Sequence, residues 1–146
     1  MSTQEDVFSG LKTLLENDAT LKTYVKTVWD GVKNSVPNFP MIVLEPLNKS
    51  ESDDVYDRQE IRLQVAVVGY IECLDVDKQI IGDTNTKGIF NFENDLIKAI
   101  SADRTLGGYA IHTYLKNTKY EFVEYPIRSF SLECEILFRQ GSTSRT

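Results

Sequence analysis

Apolar residues recur along this chain with two periods, and the switches between them mark its elements. Thr3 stands where a helix cap belongs, with Asp6 three residues on. Val7, Phe8, Leu11, Leu14 and Leu15 follow at helical spacing and predict an amphipathic helix over 4–16. After Asn17-Asp18, the stripe Leu21, Tyr24, Val25, Val28, Trp29 and Val32 predicts a second helix, capped by Asp18 or Thr20 and ended by the prolines at 37 and 40. Met41–Leu44 is a wholly apolar run that predicts a buried strand. Glu45–Asp57 reads as an exposed connection. Strict alternation then begins. Ile61, Leu63, Val65, Val67 and Ile71 share one face of a long strand, opposite Arg62, Gln64, Ala66, Val68 and Tyr70. The Val68 and Tyr70 end of the second face is apolar enough to need cover.

Leu74–Lys87 is a polar connection with a helical turn predicted around Lys78–Ile81. A helix follows, with Ile89, Phe92, Leu96, Ile97 and Ile100 on one face. Gly107-Gly108 predicts a turn, Tyr109–Leu115 a strand, Lys116–Lys119 a further turn and Tyr120–Tyr125 a strand broken by Pro126. Phe130, Leu132, Cys134, Ile136 and Phe138 alternate with polar neighbours in a closing strand. The order is α-α-β-β-α-β-β-β. It describes an α+β fold: a mainly antiparallel sheet of four or five strands with helices packed on a face. The pairs 41–44 with 60–71, and 109–125 with 127–139, are the expected antiparallel neighbours.

With 146 residues, the chain is expected to form a single domain over 1–146, with residues 141–146 as a frayed tail. A domain of this size buries about 68–70% of its unfolded surface and folds without disulfides or metal. The longest apolar runs are too short to span a bilayer, and residues 1–6 lack the features of a signal peptide. Sixteen basic residues against 22 acidic ones leave a net charge of −6. No Lys/Arg run offers a phosphate backbone a site, so sequence-specific nucleic-acid binding is not expected. Two segments carry the acidity. Glu45–Asp57 holds five acids and one lysine; Glu72–Asp95 holds six acids and two lysines. Each is net −4, so the rest of the chain is slightly basic. That segregation suits protein partners, and Glu51, Asp53, Asp54, Asp57, Asp75, Asp77, Lys78, Asp83 and Lys87 are the candidate contacts with a second subunit or another protein.

Candidate chemistry is sparse. The eight glycines never form GxG, and Gly82–Gly88 has the wrong order for a phosphate loop, with Gly88 after Lys87. His112 is the single histidine, and no nucleophile or orienting carboxylate is nominated beside it. Glu133 and Glu135 share a strand face, which alternation alone explains. Glu51, Asp53, Asp54 and Asp57 lack calcium-loop spacing. Cys73 and Cys134 read as reduced thiols, with Cys134 buried in a strand. The sequence therefore points to no enzyme and no cofactor. Tyr120, Phe122, Tyr125 and Phe130 form a dense aromatic stretch of the kind interfaces favour, with core packing expected for at least half.

The succession of elements over about residues 5–140 resembles the tail terminator, or tail completion, proteins of long-tailed bacteriophages. The likeness lies in the first helix, Val7–Asp18, and in the proline-bounded strand Phe39–Pro46 leading to an acidic connection. It continues through the long strand Ile61–Gly69, the helix Ile89–Ile100 and the closing strand Ser129–Arg139. Neck and minor tail proteins share this architecture. The resemblance implies a virion subunit that forms a homo-oligomeric ring, typically a hexamer, at the head-proximal end of the tail after assembly in the host cytoplasm. Its implied partners are the tail tube protein and the head–tail connector or neck. It implies no membrane, no cofactor and no individual functional residue. The competing class is a small cytoplasmic ligand-binding domain or enzyme, which would need a pocket with convergent polar groups.

Overall fold

In the computed structural model, residues 3–31, 38–53 and 58–141 are described. Asp54, Asp57, Val32 and the tail beyond Gly141 lie outside them. The elements are helix α1 (Gln4–Asn17), a 3-10 turn (Leu21–Thr23), strands β1 (Thr27–Asp30), β2 (Met41–Asp53) and β3 (Arg58–Glu72), a second 3-10 turn (Val76–Lys78), helix α2 (Ile89–Ala102), and strands β4 (His112–Glu124) and β5 (Ile127–Gly141). This is an α+β fold with one five-stranded sheet, in the order β1-β2-β3-β5-β4. The sheet is mixed: β1 runs parallel to β2, and every other pair is antiparallel.

The first helix forms for the reason its cap suggests. Thr3 Oγ1 accepts from Asp6 N at 3.2 Å, and the Asp6 carboxylate accepts from Thr3 N at 3.0 Å. Two otherwise orphaned N–H groups are thereby satisfied. Val7, Leu11 and Leu15 then bury completely. In α2 the buried stripe is Ile89, Phe92, Leu96 and Ile100. Both stripes join one core with Ile61, Val65 and Val67 of β3 and Phe130, Leu132, Cys134, Ile136 and Phe138 of β5. Gly69 makes room in that core. A Cβ there would collide with the Phe130 ring, which stacks edge-on against Phe92 at 5.3 Å. At roughly 25 cal/mol per Å², burying the three phenylalanines Phe92, Phe130 and Phe138 is worth several kcal/mol in all.

Four local expectations are corrected. The predicted second helix is a single 3-10 turn followed by a strand. Asp18 does cap the turn, accepting from Thr20 N and Leu21 N. Beyond it, Val25, Thr27 and Val28 are β-branched and helix-poor. From Lys26 onward the backbone turns to β2 and the residue before it: Lys26 N donates to Pro40 O and Gly31 N to Leu44 O, both at 2.8 Å, and Thr27–Asp30 pairs with Met41–Leu44.

The acidic connection 45–57 is, as far as Asp53, the outer half of β2, paired with β3 on both sides of a bulge at Leu47. Its side chains from Pro46 to Ser52 are exposed, so burial left no trace in the pattern, while the backbone ladder still formed. Pro46 sits at a one-residue register shift, where a missing N–H costs least. The predicted turn Lys116–Lys119 is likewise a bulge within one continuous strand: Leu115 faces Cys134 and Thr118 faces Leu132, leaving one extra residue on β4.

Val68 and Tyr70 receive no helix above them; α1 and α2 pack on the other face. Val68 pairs with the buried Val43, and both Val68 and Tyr70 are half-buried among neighbouring strands.

Candidate assembly surfaces

The two acidic segments lie at opposite ends of β3. Glu51 pairs in register with Ile61, whereas Asp75 lies three residues beyond Glu72, the last residue of β3. Eleven residues of extended chain separate those levels, roughly 37 Å. The candidate contact residues are therefore not brought into one site. Glu51 is exposed on β2 and its carboxylate lies 3.2 Å from Lys49 Nζ. Asp53 ends β2 opposite Gln59. Asp54 and Asp57 fall outside the described residues.

The second segment is a built loop whose charges serve its own fold. Asp75 caps the 3-10 turn by accepting from Asp77 N at 3.1 Å. Lys78 Nζ lies between Asp83, at 2.8 Å, and Asp75, at 3.7 Å. Asp83 also accepts from Asn85 N and Thr86 N. The Lys78 ammonium, helped by those two amides, holds the Asp83 carboxyl down at about 2, and Asp83 in turn raises Lys78. Lys87 pairs with Asp95 at 3.2 Å and lies over the Tyr24 ring, whose hydroxyl donates to the same carboxylate at 2.7 Å. Burial, reinforced by Asp95, pushes the Tyr24 hydroxyl far up. The loop from Gly82 to Gly88 closes on Asn91, whose Oδ1 accepts from both glycine N–H groups. The two glycine amides are thus turned to the helix, and those of Asn85 and Thr86 to Asp83 within the loop.

The anchor of this loop is Gln79, a residue sequence patterning does not single out. It is 1% exposed. Its Nε2 donates to Cys73 O at 2.9 Å, and its Oε1 accepts from Arg128 Nε at 2.7 Å. On this anchor the loop presents Leu74, Val76 and Ile81 to solvent.

The aromatic stretch is less buried than expected, with one of its four rings rather than at least two in the core. Phe130 is core; Tyr120, Phe122 and Tyr125 are half-exposed. Tyr120 packs edge-on against Phe90 at 5.4 Å and donates to Glu93 at 2.6 Å. That bond to the carboxylate pushes the Tyr120 hydroxyl up to about 12. The Arg128 guanidinium lies 4.9 Å from the Phe122 ring. Between β4 and the start of α2 these residues flank a groove of about 230 Å³.

The remaining candidates are structural. Glu135 binds Arg62 at 2.8 Å and Lys116 at 3.5 Å, and the Arg62 hydrogen bond lowers its carboxyl. Its neighbour Glu133 is half-buried on the same face. His112 lies against Tyr114, with ring centroids 4.6 Å apart and the planes tilted at 57°. Cys73 and Cys134 are free and buried, and burial pushes the Cys134 thiol up to about 12. Among the described residues no three metal-ligating side chains converge, and no helix is long and apolar enough to cross a membrane.

No protein-family model matches the sequence, and no curated protein matches it. The fold does have a solved counterpart. It is similar to a chain from the virion of a native gene transfer agent particle, with a TM-score of 0.51 and 11% identity over 95% of this chain and 96% of that one. At that identity the shared property is the fold, and it extends over nearly the whole length of both chains.

Proposed function

We propose that this protein is a structural subunit of a phage-like particle, and within it the tail terminator: a ring-forming subunit that caps the head-proximal end of the tail tube and offers the head its docking surface. The observation that carries the reading is the end-to-end fold likeness to a chain of an assembled virion. The sequence resemblance to tail terminators supports the finer role. A growing tube exposes an edge that recruits the next ring. A terminator binds that edge with one surface and presents a different one outward, and it needs no chemistry. The subunit offers two separate acidic ends along β3 and a loop with outward apolar side chains. In this reading Glu51, Asp53, Asp54 and Asp57 serve one surface, and the segment with Asp75, Asp77, Lys78, Asp83 and Lys87 serves the other. The tube protein and the head connector are the partners, in a ring of identical subunits, typically six.

Electron microscopy of particles assembled without this protein tests the proposal. Filled heads separated from tails of abnormal or excessive length are expected. Normal-length tails already joined to heads would overturn it. Normal-length tails left unjoined would assign the subunit to the neck instead.

A further inference from the structure

One face of the sheet lies under the helices. The other carries none, yet half of it is not patterned for water. Directly opposed residues in a ladder share a face, so the rows can be read across the strands. Trp29, Val43, Val68, Ser131 and Lys119 form one row, and Thr27, Met41, Tyr70, Ser129 and Glu121 the next. On one side of these two lies the row Glu45, Ala66 and Glu133, and on the other the row Glu72, Ile127 and Glu124. Val43 and Ala66 are only 5% and 6% exposed although no helix covers them. Around them Trp29, Met41, Val68 and Tyr70 are half-buried, so the middle of the patch is apolar.

Acids bound this centre on three sides. Glu45 and Glu133 stand at one end, Glu72 and Glu124 at the other, and Glu121 at the β4 edge. None of them forms an ion pair among the described residues, and Lys119 is the single cation within the four rows. Tyr70 registers their field: burial, with the charges of Glu121 and Glu45, pushes its hydroxyl up. Overall composition does not account for the pattern. Lys22, Lys26 and Lys98, exposed and without ion pairs among the described residues, stand on the helix-bearing side. Beyond Glu133 the face pairs its own charges, with Glu135 holding Arg62 and Lys116.

The four rows span three two-residue steps, roughly 20 Å along the strands. A helix of about 14 residues has that length. We infer that this face docks a basic amphipathic helix of a partner protein. Its apolar stripe lies on Met41, Val68 and Tyr70, and its Lys or Arg side chains meet Glu45 and Glu133 at one end and Glu72 and Glu124 at the other. An apolar sheet face is closed by helices, as α1 and α2 close the opposite face of this sheet. The acids select the charge of the occupant. They repel an acidic helix or a phosphate backbone, and a second copy laid face to face would set carboxylate against carboxylate. Burial of the stripe supplies affinity, and the two acidic ends fix its register. The inference stands apart from the terminator role.

Synthetic helical peptides of about 14 residues, added to the full chain, test it. Trp29, the single tryptophan of the chain, reports binding by fluorescence. A peptide with a leucine stripe flanked by lysines should give a saturable change. Glu45→Gln/Glu133→Gln and Glu72→Gln/Glu124→Gln should each weaken it at least about tenfold. Glu5→Gln/Glu16→Gln removes the same charge from α1 and should change it less than about twofold. Glu72 and Glu124 are exposed, so their variant carries the test should the half-buried Glu133 be needed for folding. Unchanged thermal unfolding identifies the folded proteins. Amide NMR shifts on binding should cluster on β2, β3 and β5 rather than on α1 and α2. Absence of saturable binding, or equal weakening by the α1 variant, would overturn the inference. Equal binding of a lysine–serine peptide without the stripe, or of a glutamate–leucine peptide, would do the same. So would self-association by light scattering that disappears in the Glu72→Gln/Glu124→Gln variant, since a second copy would then occupy the face.

Discussion

Arg128 Nε donates to Gln79 Oε1 at 2.7 Å, and through this bond strand β5 holds the loop that follows β3. Gln79 also donates to the Cys73 carbonyl, so one buried amide ties the loop both to β5 and to the residue that follows β3. Leu74, Val76 and Ile81 can face outward because this polar anchor, rather than their own burial, positions the loop.

Gln79→Ala should therefore be costly for a loop residue. It strands a carbonyl and a guanidinium N–H that the fold now pairs, for a loss of about 2 kcal/mol. Urea unfolding reads the loss directly. A change below about 0.5 kcal/mol would show that water replaces the amide at both partners.

Gly69 and Phe130 form a second coupled pair. Gly69→Ala places a methyl group in the space of the Phe130 ring and should destabilise by about 1–3 kcal/mol. Phe130→Leu alone leaves a cavity and should also destabilise. Combined, the two should cost less than their sum, because each relieves the other's defect. A double-mutant cycle measures the coupling; strict additivity would show that the ring moves aside freely.

What the chain revealed in advance tracks what burial imprints on sequence. Ile61 to Ile71 and Phe130 to Phe138 alternate because one face of each strand meets the helices, and both strands lie where that pattern puts them. Thr27–Asp30 was hidden because Leu21, Val25 and Val28 satisfy helical spacing while belonging to a turn and a strand; the deciding hydrogen bonds go to Pro40 and Leu44, residues no local window contains. Glu45–Asp53 was hidden because a strand with exposed side chains carries no apolar period. The acidic candidates were visible as composition, yet their partners were not: Lys78 reaches Asp83 across a turn.

The buried thiols give a direct check of the core. Cys134 is fully buried within β5, and Cys73 is 6% exposed with its thiol donating to Asp75 O. With Cys134 held in its neutral form, iodoacetamide at neutral pH should modify neither thiol in the native protein, and both once denaturant unfolds it. Mass spectrometry counts the additions. Rapid native labelling of Cys134 would mean that β5 opens, and with it the centre of the sheet.

Neutralising Glu51 should barely move the unfolding midpoint. Its pair with Lys49 is at the surface, and such pairs are worth under about 1 kcal/mol. Assembly with a partner should weaken instead if this end of β2 is a contact. A sharp fall in stability for Glu51→Gln would make the segment structural and remove it from the contact surfaces.

Asp83 makes a pH-dependent prediction whose sign follows from its partners. Its carboxyl falls from an ordinary value of 3.8 to about 2 because Lys78 and two amides favour the charged form. In acid, the unfolded chain takes up this proton first, so the folded state loses that advantage as pH drops from about 4 through about 2. The stabilisation is fully present above the unfolded value and absent below the folded one. It is modest, since water screens the exposed pair. Asp83→Asn removes the charge, so wild type and variant should differ in denaturant midpoint at pH 6, with the wild type more stable. The gap should narrow steadily between pH 4 and pH 2 and then vanish. A gap that persists undiminished at pH 2 would show that the charge of Asp83 is not its source.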